Sequence, residues 1–119
     1  MSDPRFVGTL SLSVGPGGKD MVLDSTFSFI DSKGSMWTAY KNDVVNGANI
    51  PNTLKIIIGG AYQEPYLPAA VIHDVYCINK TRSWQSTARM FYEAMITNGV
   101  NFFKARVMYT AVWTIGPQW

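Results

Sequence analysis

The chain contains one histidine, and a carboxylate follows it directly, in Ala69-Ala70-Val71-Ile72-His73-Asp74-Val75-Tyr76-Cys77. An ionisable pair in so apolar a segment needs partners or a task, because an unpartnered buried charge costs several kcal/mol. On a helix, adjacent side chains project about 100° apart, so Asp74 cannot orient the neighbouring imidazole as a catalytic-triad carboxylate would. The two residues then act on different things. His73 is a candidate general base for water, and Asp74 a candidate ligand for a hard cation such as calcium. Backbone carbonyls of a glycine-rich loop would complete that cation site, and Gly59-Gly60 is the candidate loop. A carboxylate elsewhere, Glu93 or Asp43, would have to reach the imidazole to orient it. The alternative reading is structural: a hydrogen-bonded core histidine beside an aspartate that anchors a loop.

Counting excludes other chemistries. Phosphohydrolases that use a His-Asp doublet need several further histidines, and this chain has none. One His and one Cys cannot furnish a closed zinc site of four N/S ligands, and Cys77 alone makes no internal disulfide. Cys77 lies one helical turn beyond His73, as a nucleophile or as a small buried hydrophobe. No cofactor is required by these residues, calcium entering only with the hydrolase reading.

The net charge of +2 is unevenly spread. From Pro65 onward, Lys80, Arg82, Arg89, Lys104 and Arg106 face only Asp74 and Glu93, whereas the preceding part is slightly acidic. A modest basic surface favours anionic partners, and the alternative is a solvated helix face. The expected ligand-binding set is His73, Asp74, Tyr76, Arg82 and Arg89. No pattern for specific nucleic-acid recognition is present.

These residues need elements to position them. A chain of 119 residues, 47% hydrophobic and 13% aromatic, reads as one domain over residues 1–119, strand-rich over roughly 5–60 and helical over 65–116. Leu10, Leu12 and Val14 alternate with Thr9, Ser11 and Ser13, the period of a half-buried strand. Met21 to Ile30 reads as a second extended segment and Met36 to Tyr40 as a third, with turns at Pro16-Gly17-Gly18 and Asp31-Ser32-Lys33-Gly34. Asn46-Gly47 marks a further turn, and Leu54 to Ile58 fits a short strand or a helical turn.

Pro68 suits a first helical turn, and the apolar residues that follow cover more than one face, which predicts a central, buried His-Asp helix. Ser83 and Asn101 are N-cap candidates for two further helices, ending at Asn98-Gly99 and Gly116-Pro117. Phe91, Ala94 and Met95 should face inward from the first of these, and Phe103, Val107 and Trp113 from the second. Strands followed by helices predict an α+β fold: an N-terminal antiparallel meander and about three helices.

Four ordered blocks carry a resemblance: Asn46-Gly47-Ala48-Asn49-Ile50-Pro51, Ala69 to Asp74, Arg89-Met90-Phe91-Tyr92-Glu93-Ala94-Met95 with Gly99-Val100, and Ala105-Arg106-Val107-Met108-Tyr109. Together they resemble a family of small phage and prophage proteins of unknown function, domain of unknown function family 1353. The His-Asp helix followed by a Phe-Tyr-Glu-Ala-Met helix also resembles, more distantly, the core of secreted and parvoviral phospholipases A2. That resemblance implies His73 as base and Asp74 with Gly59 and Gly60 on calcium. The chain departs from it at Cys77, where a tyrosine is usual, at Ala88, where an orienting aspartate is expected, and at Asn46, where a turn aspartate is expected.

Taken together, these readings predict an accessory protein of a phage or prophage that binds a small anionic ligand or a host protein through a degenerate hydrolase-like pocket, rather than an enzyme. A calcium-dependent ester hydrolase and a virion or tail component are the alternatives, and homo-oligomers fit the last of these. The N-terminus lacks the apolar region of a signal peptide, and no run approaches the roughly 18 apolar residues of a membrane span. The expected location is the host cytoplasm, with the virion as the alternative.

Overall fold

The computed structural model describes residues 3–15, 20–45 and 65–119. Among the described residues, six short strands precede three helices, the α+β arrangement expected. Strands β1 (Arg5–Val7), β4 (Phe27–Ile30) and β5 (Met36–Ala39) form one antiparallel sheet in the order β1-β4-β5. Strands β2 (Leu12–Val14), β3 (Met21–Leu23) and β6 (Val44–Val45) form a second, in the order β2-β3-β6. The helices are α1 (Leu67–Asn79), α2 (Trp84–Thr97) and α3 (Phe102–Ile115). No helix among the described residues is long and apolar enough to cross a membrane.

Alternation along β4 sets the core of the first sheet. Phe27 and Phe29 are buried, Phe6 of β1 stacks on Phe27 with ring centroids 5.3 Å apart, and Trp37 of β5 lies opposite Phe29. The two intervening hydroxyls, Ser28 and Thr38, satisfy each other across the ladder at 2.9 Å. The segment from Met21 to Ile30, expected to be one extended stretch, is divided between the sheets. Asp24 accepts hydrogen bonds from the hydroxyls of Ser11 and Ser13, and Lys41 N donates to Thr26 Oγ1. The chain therefore leaves one sheet at Leu23 and enters the other at Phe27, and β1 pairs with β4 rather than with its neighbour in sequence.

Every residue of α1 from Pro68 to Cys77 is buried. The helix packs on α2 on one side and on β5 and β6 on another, as a helix apolar on several faces must. Helix α2 starts as its sequence predicts, with Ser83 Oγ accepting from Ser86 N at 3.1 Å. At its end Gly99 N donates to Ile96 O and Val100 N to Met95 O, a Schellman closure that needs the positive φ of 89° at Gly99. Asn101 Oδ1 caps α3 by accepting from Phe103 N at 2.9 Å.

The inward face of α3 is the expected one only in part: Val107 and Trp113 pack against the core, and Phe103 does not. Ala105, Met108 and Val112 are its buried residues, Val107 and Trp113 are half-buried, and Phe103 is 73% exposed. Phe103 precedes Ala105 by two residues and so projects about 200° around the helix from it, away from the packed face.

Candidate functional site

His73 is 2% exposed, enclosed where α1 meets α2. Its ring lies against Phe91 of α2 with centroids 4.6 Å apart. Cys77 Sγ is 3.7 Å from Nδ1 and 3.6 Å from Nε2, near-equal distances that place the thiol off the axis of either nitrogen. Burial pushes the imidazole down to about 4, against the opposing pull of Asp74, so the ring is neutral at pH 7. Burial, reinforced by Asp74 and opposed by Lys80, pushes the Cys77 thiol up to about 12. A thiol held protonated in this way is no nucleophile at neutral pH.

Neither carboxylate considered for orienting His73 is turned toward it. Glu93 accepts from Ser32 N at 2.7 Å and from Ser32 Oγ at 3.1 Å, and Asp43 accepts from Tyr40 N at 2.8 Å. Ala88 is buried, and Asp74 is 1% exposed. Gly59, Gly60 and the Asn46-Gly47 turn lie outside the described residues. Among the described residues no three His, Cys, Asp or Glu side chains are grouped to hold a metal ion.

A polar cleft of about 310 Å³ opens between the β4–β5 turn and the first half of α2. Asp31 builds the turn: its Oδ1 accepts from Lys33 N and Ser35 N, both at 2.9 Å, and its Oδ2 accepts from Trp37 Nε1 at 2.9 Å. Burial alone would raise this carboxyl, but the donors of Trp37, Ser35 and Lys33 and the charge of Arg82 outweigh it and hold it below the usual range. Glu93, through its two bonds to Ser32, ties α2 to the same turn.

Arg82 enters from the loop between α1 and α2. Its guanidinium lies over the Trp37 ring, 4.1 Å from the centroid, and 5.5 Å from that of Tyr76, and Nη2 donates to Met36 O. Tyr76 is fixed in turn by edge contact with Trp37 and by accepting from Thr38 N at 2.8 Å. Trp119 Nε1 donates to the backbone oxygen of Arg82 at 2.8 Å, steadying the loop. A long cationic side chain is thereby ordered before any ligand arrives, which removes much of the entropic cost of using it.

Lys33, Arg82 and Arg89 line the cleft with Ser35 and Ser86, against Asp31 and Glu93, whose oxygens already accept from the turn. The arrangement is suited to receive a small anion through guanidinium, ammonium and hydroxyl donors. Of the residues singled out in the sequence, Arg82 and Arg89 meet here and Tyr76 supports Arg82 from behind. His73 and Asp74 do not line this cleft. Sequence reasoning missed Lys33, Ser35 and Ser86. The only local signal was a cation and hydroxyls in a tight Asp31–Ser35 turn, and nothing in the sequence marked Trp37 as the seat of an arginine.

A family model described as protein of unknown function (DUF1353) matches residues 21–112. The chain belongs to this family. Two relatives, both from Sinorhizobium fredii (strain NBRC 101917 / NGR234), are similar along almost all of it. Uncharacterized protein y4jT is 43% identical over 123 aligned residues, covering 97% of this chain and 36% of the relative. Uncharacterized protein y4iH is 36% identical over 115 residues, covering 96% of this chain and 48% of the relative. The chain thus spans between a third and a half of the length of these family members. No solved structure matches it.

Proposed function

We propose that this chain is a binding domain whose cleft at Arg82 holds a small anionic group, a phosphate or a carboxylate, free or carried by a host factor. The observation that supports this reading is the clamped guanidinium of Arg82, seated on Trp37 and bonded to Met36 O, with Lys33 and Arg89 lining the same cleft. A guanidinium ordered over an aromatic face, with two further cations lining the same cleft, suits recognition of a compact anion. The length of the relatives fits a module that works within a larger protein. An origin in a phage or prophage rests on the four ordered sequence blocks.

Titration calorimetry with inorganic phosphate and pyrophosphate tests the reading. Binding should weaken at least about ten-fold in Arg82→Gln, since a bond to a charged group contributes about 1.5–3 kcal/mol. The exposed Arg89→Gln and Lys33→Gln variants, which leave the clamp intact, should each weaken it less. Equal affinity in all three variants and the unaltered protein sinks the proposal.

The hydrolase alternative draws support from one feature, a neutral His73 beside a buried Asp74. It requires calcium to raise the melting temperature in a manner lost in Asp74→Ala, and ester cleavage lost in His73→Ala.

A further inference from the structure

We infer that the anion cleft is one half of a longer site whose ligand joins an anionic group to a planar ring, as a nucleoside phosphate does. This rests on the anion reading above and extends it. A second cleft, of about 510 Å³, adjoins the first and shares Arg89 and Glu93 with it. These two residues lie one turn apart on α2, so their side chains form a ridge common to both hollows. On one side of the ridge stand Lys33 and Arg82.

The other side has different chemistry. Tyr92 and Tyr109 wall the second cleft with ring centroids 5.3 Å apart, and the Arg106 guanidinium lies 5.9 Å from the Tyr109 centroid. Both rings are half-buried, Tyr92 also packing on Phe102 and Tyr109 on Trp113, so what they present to the cleft beside the guanidinium is a rigid aromatic wall against which a flat, electron-rich ring can lie. Arg89 stands where both parts of one ligand would pass, and Glu93, whose oxygens already accept from Ser32, opposes an anion at the crossing less than an unbonded carboxylate would. The succession of cationic cleft, ridge and aromatic cleft matches phosphate, sugar and base.

The experiment titrates the full chain with inorganic phosphate, ribose 5-phosphate and AMP. All three should bind, and Arg82→Gln should weaken all three. AMP should bind at least about five-fold more tightly than ribose 5-phosphate, the lower end of what stacking one base on an aromatic side chain contributes. Arg106→Gln, an exposed change that leaves the core intact, and Tyr109→Leu should each abolish that advantage and leave phosphate affinity as it was. Equal affinities for AMP and ribose 5-phosphate, or an advantage that survives both variants, overturn the two-part site while the anion reading stands. If phosphate binds no better to the unaltered protein than to Arg82→Gln, both fall.

Discussion

Acidification from pH 7 to pH 5 should destabilise this protein chiefly through His73. Its ring has an ordinary value of 6.5 and lies at about 4 in the fold, because burial disfavours the imidazolium. Between those values the unfolded chain takes up a proton that the folded chain does not, so unfolding becomes easier as pH falls. Linkage puts the loss at about 2 kcal/mol by pH 5 and about 3 kcal/mol by pH 4, a sizeable share of the stability of a small domain. Two features make the window clean. No second histidine titrates in it, and the carboxyls held below their usual range, Asp24 and Asp31, add their own loss only at lower pH. Asp74 and Cys77 are the titratable neighbours on α1, and the ring on the α2 side is the uncharged Phe91. Urea unfolding followed by tryptophan fluorescence at pH 7, 6 and 5 measures the slope. His73→Leu keeps an apolar side chain of similar size and removes the proton, so its unfolding free energy should be flat over the same range. A flat profile in the unaltered protein, or an equal slope in the variant, would refute the argument that burial governs this ring.

Other perturbations follow from single contacts. Glu93→Ala removes the acceptor of both Ser32 bonds and should cost about 1 kcal/mol in chemical denaturation, discounted for partial exposure. It should also loosen the β4–β5 turn, seen as faster amide exchange at Ser32. Gly99→Ala should cost about 1 kcal/mol although nothing lies within 4 Å of the added carbon, since the whole cost is the positive φ. Cys77 should resist a thiol reagent in the native state at pH 8 and react on unfolding. Stability should also fall as pH rises beyond 9, where the unfolded thiol ionises and the folded one, at about 12, does not.

Much of the helical half could be read from neighbouring residues. Ser83, Asn101 and Gly99 act within a turn of where they stand, so their roles as caps and stop follow from local backbone chemistry. The apolar run from Ala69 to Cys77 likewise demanded a helix enclosed on several sides. The strands were less legible: Asp24 to Thr26 divides two sheets through bonds to Ser11, Ser13 and Lys41, none of them adjacent in sequence. On α3 the expected Val107 and Trp113 do pack against the core, but Phe103 and Met108 are both apolar, and periodicity cannot say which of them meets α2.

The sequence by itself determined the kind of chemistry available: one neutralisable histidine, one thiol, too few ligands for zinc, and a later half whose cations meet few carboxylates. Which of those groups meet was decided by tertiary structure. Arg82 finds Met36 across 46 residues and Glu93 finds Ser32 across 61. Bonds of that span depend on how the sheet is laid against the helices, and no local pattern encodes them. Burial is also a property of the assembled core, and it turns the His-Asp pair inward while leaving the arginines at the mouth of a cleft.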